Sequence, residues 1–198
     1  EIPVARQLVD YIAQKNSHQT IVASEHQQFS RFEYTRRLTH AVENIGGENV
    51  PVVLMNKDGG FTTIPDFLIK EHQVHSQNGK VYPIFGAHQQ DALSADKSSM
   101  KFLRLTYPEL SDQIISLLKK DKSVIILLSS THQNSVGEMR AFFHTLMNNQ
   151  ILTPVVLSKK YRIHDLQELQ IKAAADMGVL FLDGFGDGLH LELNEIDN

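Results

Sequence analysis

From Met100 to Leu193 the chain alternates short apolar runs with amphipathic stretches that open on capping residues, a pattern that restricts it to an α/β architecture of successive βαβ units. Lys101 to Thr106 and Val124 to Leu128 read as buried strands, and Ile151 to Leu157 as the next. Thr106 with Glu109, Ser135 with Glu138 and Asp165 with Glu168 stand at capping-box spacing. The first opens a helix with the stripe Leu110, Ile114, Leu117 and Leu118, closed at Asp121-Lys122. The second opens one with the stripe Met139, Phe142, Phe143, Leu146 and Met147, closed at Asn148-Asn149. The third opens a helix that Gly178 closes as a residue just past the C-cap. Val179 to Leu182 then reads as a strand, Asp183 to Gly188 as a glycine turn, and Leu189 to Leu193 as a strand with one wet face.

Crossovers of one hand place the strand ends at Thr106, Ser129, Leu157 and Asp183 on one rim. That rim is expected to hold Tyr107, Ser129, Ser130, Thr131, His132, Lys159, Lys160, Asp183 and Asp187. A full eight-stranded barrel usually takes about 250 residues, so a reduced or incomplete barrel-like parallel sheet is expected from the 198 present.

The earlier part of the chain is less regular. Pro3 with Val4, Leu8, Tyr11 and Ile12 predicts an N-terminal helix. Phe29 to Val42 fits both helical and extended spacing, with Ser30 and Glu33 as a capping box. Ile45 to Gly47 predicts a turn, Pro51 to Met55 a strand, and Asn56 to Gly60 a polar loop. Thr62 to Ile64, Asp66 to Ile69 and Val81 to Phe85 are weaker strand candidates. The division expected is a linker helix and extended segment over 1–50, followed by an α/β domain over 51–198.

The run Leu169 to Gly178, followed by Asp183-Gly-Phe-Gly-Asp-Gly188 and Leu189-His-Leu-Glu192, resembles hydroxymethylbutenyl diphosphate synthase in its plant and Bacteroidetes form. That form carries a large insertion between its catalytic barrel and its cluster-binding domain, ending in a "GALLVDGLGDG"-like stretch and "LLE". Thr153-Pro-Val-Val156 and Ile163-His-Asp-Leu166 resemble further family segments. So do Arg31 to Arg37 and, as the linker helix leaving the catalytic barrel, Ile2 to Leu8. The resemblance implies that the chain is the insertion domain, excised from a longer polypeptide, and that it positions the catalytic barrel and the cluster domain without chemistry of its own. It further implies a parent iron–sulfur oxidoreductase of isoprenoid biosynthesis with a [4Fe-4S] cluster, a ferredoxin or flavodoxin donor, and a bacterial cytoplasmic location. Flanking domains of the same polypeptide are the implied partners.

The chain has no cysteine, so it supplies no thiolate for a disulfide, zinc or an iron–sulfur cluster. The formal net charge of -4 argues against a nucleic-acid footprint, and no apolar run approaches the roughly 20 residues of a membrane span. No residue is assigned a catalytic, cofactor-binding or metal-ligating role, and no cofactor is expected within this chain. Whether the isolated chain is an enzyme stays open.

Three groupings are candidates beside that assignment. Ser129, Ser130 and Thr131 with Lys159 and Lys160 form a set able to receive an anion, the basis of an alternative reading as an independent α/β-barrel enzyme or phosphate-ligand binder. Asp183, Asp187 and His190 form a set for metal binding or acid–base work. Arg36, Arg37, Lys159, Lys160 and Arg162 are the cations available for docking an acidic electron donor. His72 and His75 share a face only if they lie on a helix, and Ser135-Val-Gly137 is not a nucleophile elbow.

Overall fold

The computed structural model describes residues 2–15, 35–56, 64–162 and 166–194. Helix α1, Ile2–Lys15, precedes a sheet of eight strands closed into a barrel. The strands are β1 Val52–Met55, β2 Phe67–Lys70, β3 Gln73–Ser76, β4 Val81–Gly86, β5 Lys101–Leu105, β6 Val124–Leu128, β7 Val155–Arg162 and β8 Gly188–Asn194. Every neighbouring pair is parallel except β2 with β3 and β3 with β4. The closed barrel fits into a short chain because β3 is a hairpin return, so β2, β3 and β4 need no intervening helices.

The outer helices are α2 Gln90–Ala95, α3 Asp112–Lys120, α4 Ser135–Asn148, α5 Leu166–Ala173 and α6 Val179–Leu182. They cover one side of the strands. Leu103, Leu105, Ile126, Leu128 and Leu157 join Ile114, Leu118, Phe142, Phe143 and Leu146 in the outer core. Side chains of opposite parity, including Leu54, Phe67, Val74, Tyr82, Phe102, Leu127 and Val156, fill the barrel interior. Fully burying each large apolar group contributes about 1.5–3 kcal/mol before entropy is deducted.

Several expectations shift. The Thr106–Glu109 capping box forms, but on a single 3₁₀ turn, Tyr107–Glu109; α3 starts later, with Ser111 accepting from the Ile114 N–H. In α4 the cap is Asn134, which accepts from the Gly137 N–H at 3.0 Å, and Glu138 accepts instead from the Ser130 hydroxyl. The β7 strand begins at Val155 rather than Ile151, because Pro154 has no N–H to give a ladder and the strand continues through Lys159 and Lys160. Gly178 does not end its helix. With φ -58 it continues right-handed from the π turn Ala174–Gly178 into α6, so Val179 to Leu182 is helical. A four-residue apolar run does not distinguish a buried strand from a buried helical turn, and Leu180 is wholly buried.

The β2–β3 turn places Glu71 at φ 48 and His72 at φ 62. Two positive-φ residues normally announce themselves as Asn-Gly or Asp-Gly, which is why this hairpin was not legible. His72 therefore lies in a turn and His75 on β3, not on a shared helix face. Ile64 lies outside any strand, while β2 and β4 agree with their candidates. Thr62, Ser30 with Glu33, and the Asp165 cap lie outside the described residues.

The N-terminal mouth of the barrel is plugged by 36–47. Val42 and Ile45 join the interior core, bridged to each other by backbone hydrogen bonds of 2.8 and 3.0 Å. The Arg37 Nη2 donates to the carbonyls of Ile151 (2.6 Å) and Thr153 (3.1 Å). Access to the interior is left to the C-terminal mouth.

Candidate functional site

Strand parity determines which side chains line that open mouth. Phe102 faces the interior, so Arg104, two residues further along β5, shares its face. Val156 faces inward, so Ser158 and Lys160 do too. A Cβ on Gly188 would meet Val52 and Val156, which places Gly188, His190 and Glu192 on the inner face of β8. The carboxyl half of the barrel is thus lined by Arg104, Ser158, Lys160, His190 and Glu192.

His190 is the buried centre of this group, 1% exposed. Its Nδ1 lies 2.8 Å from Ser158 Oγ, its partner in the β7–β8 register, while its Nε2 has no hydrogen-bond partner among the described residues. Burial pushes the imidazole down to about 4, the nearby positive charge of Arg104 adds to this, and Glu192 opposes it. His190 is therefore neutral at pH 7. Glu192 accepts from Lys160 Nζ at 2.8 Å, whereas the guanidinium of exposed Arg104 has no hydrogen-bond or ion-pair partner among the described residues. Among the described residues no carboxylate orients the second ring nitrogen, so Ser158 and His190 lack the third member of a triad.

A second polar cluster lies outside the barrel at the same end. Asp176, 2% exposed on the π turn, accepts from Tyr11 Oη at 2.7 Å and Tyr161 Oη at 3.1 Å, and pairs with Lys15. Lys159 Nζ lies 3.8 Å from the same carboxylate and 3.2 Å from Ser135 Oγ. Burial, the bond to Asp176 and its charge push the Tyr11 phenol up; burial and then the Asp176 charge do the same to Tyr161. Burial lowers Lys159, and Asp176 partly restores it. The cluster clamps α1 to β7. Asp176 carried no sequence signal beyond its place beside Met177 in an apparently amphipathic helix.

The expected rim divides. Tyr107, Ser129, Ser130, Thr131 and His132 follow β5 and β6 at the C-terminal end. There Ser130 bonds Glu138, and His132 Nδ1 accepts from the Asn134 N–H at 3.0 Å. Lys159 and Lys160 point to opposite faces of β7, one to Asp176 and one to Glu192. Asp183 pairs with Arg140 Nε at 2.7 Å outside the barrel. Asp187 lies at the opposite mouth, where its Oδ2 accepts from the Val155 N–H at 2.9 Å. The set Asp183, Asp187 and His190 is therefore not brought together, because β8 carries His190 into the interior while the turn leaves both aspartates outside it. The five cations do not form one patch: Arg36 and buried Arg37 border the N-terminal plug, and the other three lie on β7.

These features define the class: a closed, mostly parallel α/β barrel, sealed at its N-terminal mouth and polar at the other. No family model matches the chain, and no solved structure is a significant match. Among curated proteins the chain is similar to the flavodoxin-type 4-hydroxy-3-methylbut-2-en-1-yl diphosphate synthases of Bacteroidetes. It is 38% identical to that of Parabacteroides distasonis and 39% identical to that of Phocaeicola vulgatus, each over 96% of this chain and 35% of the relative. Against the Porphyromonas gingivalis synthase it is 30% identical over 99% of this chain and 32% of the relative. The chain thus spans about a third of the length of the curated relatives it matches, and is similar to one segment of them.

Proposed function

We propose that this chain is the insertion domain of a flavodoxin-dependent hydroxymethylbutenyl diphosphate synthase, and that it holds the catalytic barrel and the cluster domain of one polypeptide at a working separation. The observation that carries the reading is the coverage: nearly all of this chain aligns, yet to only 35% of each leading relative. The geometry is consistent with a rigid spacer, since the interior is packed, one mouth is plugged and α1 is clamped at Asp176. The bond of Thr39 to Asp187 supports a fixed attachment between the expected linker, 1–50, and the expected domain, 51–198.

The activity of the whole protein is the reductive dehydroxylation of methylerythritol cyclodiphosphate in bacterial isoprenoid biosynthesis, in the cytoplasm, with electrons from flavodoxin or ferredoxin. A [4Fe-4S] cluster would supply those electrons. This chain does not fit such a cluster, having no cysteine and, among the described residues, no group of three potential ligands. The partners of the chain are then its flanking domains.

The test is calorimetric titration of the folded chain with methylerythritol cyclodiphosphate, with inorganic pyrophosphate as the control. The spacer reading expects the cyclodiphosphate to bind no tighter than the control. Tighter binding overturns it and favours the alternative, a phosphate-ligand domain acting through its C-terminal mouth.

A further inference from the structure

We propose that the C-terminal mouth of this barrel binds an oxyanion, phosphate-like or carboxylate, between the Arg104 guanidinium and the Nε2 edge of His190. The two groups share the inner face of the barrel, on β5 and β8, by the parity of Phe102 and Gly188, and the charge of Arg104 acts on His190. Neither the Arg104 guanidinium nor His190 Nε2 has a hydrogen-bond partner among the described residues, and the imidazole is almost wholly buried. Buried polar atoms are ordinarily satisfied, so an orphaned ring nitrogen beside a cation with no carboxylate partner among the described residues marks a place for an acceptor.

The Ser158 hydroxyl and His190 Nδ1 are in hydrogen-bond contact, with either as the donor according to the tautomer. If the hydroxyl donates to Nδ1, at 2.8 Å, Nε2 carries the proton and is a donor. A donor and a guanidinium together select a ligand that is acceptor-rich and negative, and the planar fork of Arg suits a carboxylate or phosphoryl group held by two oxygens. Among the described residues Glu192 is the acidic group whose charge reaches His190, and that charge is engaged by Lys160 at 2.8 Å. Among the described residues, the positive charge that acts on His190 is that of Arg104. This inference stands apart from the spacer reading. Binding of a generic oxyanion leaves that reading intact, whereas preference for the cyclodiphosphate would overturn it.

The experiment is NMR of the ¹⁵N-labelled full chain at pH 7 and constant ionic strength, titrated with inorganic phosphate and, in a second arm, with acetate; chloride is the control. Saturable movement of the His190 Nε2 resonance is expected with at least one of the two oxyanions. Phosphate alone assigns a phosphoryl ligand, acetate alone a carboxylate such as an acidic side chain. Arg104→Gln alters an exposed residue and should leave the folded spectrum intact while weakening binding at least tenfold; Arg104→Lys should weaken it less. An unmoved His190 resonance in both arms overturns the proposal, and so does equal binding by Arg104→Gln.

Discussion

The Asp187 carboxylate accepts a hydrogen bond from the Thr39 hydroxyl at 2.8 Å, joining residues 148 apart in sequence at the N-terminal mouth of the barrel. The same carboxylate accepts from the Val155 N–H, and Arg36 Nη2 lies 3.5 Å away. One buried side chain thus ties the plug, β7 and β8 together, and its negative charge offsets the desolvation that pulls Arg37 down to about 10.

Asp187→Ala is expected to destabilise the chain by about 3 kcal/mol, because charged-group hydrogen bonds are lost and buried Arg37 loses its nearby countercharge. Asp183→Ala, in the same turn, removes only a part-exposed pair with Arg140 and should cost less than about 1 kcal/mol. Urea unfolding of the two variants checks the contrast. Equal losses would show that Asp187 is not the fastening point.

Gly188→Ala tests the closure of the barrel. A Cβ there would lie 2.7 Å from both the Val52 side chain and the Val52 carbonyl oxygen, and a backbone atom on a paired strand cannot move aside cheaply. Overpacking of this kind costs about 1–3 kcal/mol. Thermal denaturation should show a clear drop in Tm; an unchanged Tm would mean that β1 and β8 are not so closely apposed.

Acid should weaken the fold through His190. Its folded value of about 4 lies below the ordinary 6.5, so below pH 6.5 the unfolded chain takes up a proton that the folded chain refuses. The stabilisation is complete above about pH 6.5 and is lost as pH falls toward 4, amounting to about 3 kcal/mol over that window. His190→Gln should flatten the acid limb between those values. A retained slope would assign the acid sensitivity elsewhere.

Alkali should weaken it through the Asp176 cluster. Tyr11 and Tyr161 are raised above their ordinary 10.0, so their contribution is full below pH 10 and lost as pH rises beyond it. Lys159, lowered from 10.5, works in the opposite sense below that value and no further above it. Melting temperatures from pH 9 to 11.5 should fall for the parent chain and fall less for Tyr11→Phe with Tyr161→Phe. Tyr11→Phe alone should raise hydrogen exchange in α1 while leaving the barrel protected.

Replacing Glu71-His72 with Asn-Gly should stabilise the chain by about 1 kcal/mol, since both positions hold positive φ and the new pair adopts it readily. A gain in Tm checks the hairpin directly. A loss would mean that the native pair makes contacts worth more than the backbone strain.

The sequence by itself determined the α/β class, the strands β5 and β6, and the helices α1, α3 and α4, because their signals are local: apolar period, a polar cap and a terminating residue within one or two turns. Motif similarity pointed to the synthases that the curated relatives name. Local signals failed where a long-range partner decides the conformation. Val179 to Leu182 reads as a strand, yet so short an apolar run is equally compatible with a buried helical turn. Helix it becomes, because the slot between β7 and β1 is filled by Gly188–Asn194, and Gly188 has no Cβ to collide with Val52 there.

Which end of the barrel receives each polar residue was likewise settled only by tertiary structure. Asp187 and His190 are three residues apart, yet one fastens the plugged mouth and the other faces the interior beside Arg104. Strand direction and parity across the closed sheet separate them, and neither can be read from spacing until the register of β8 against β1 and β7 is fixed.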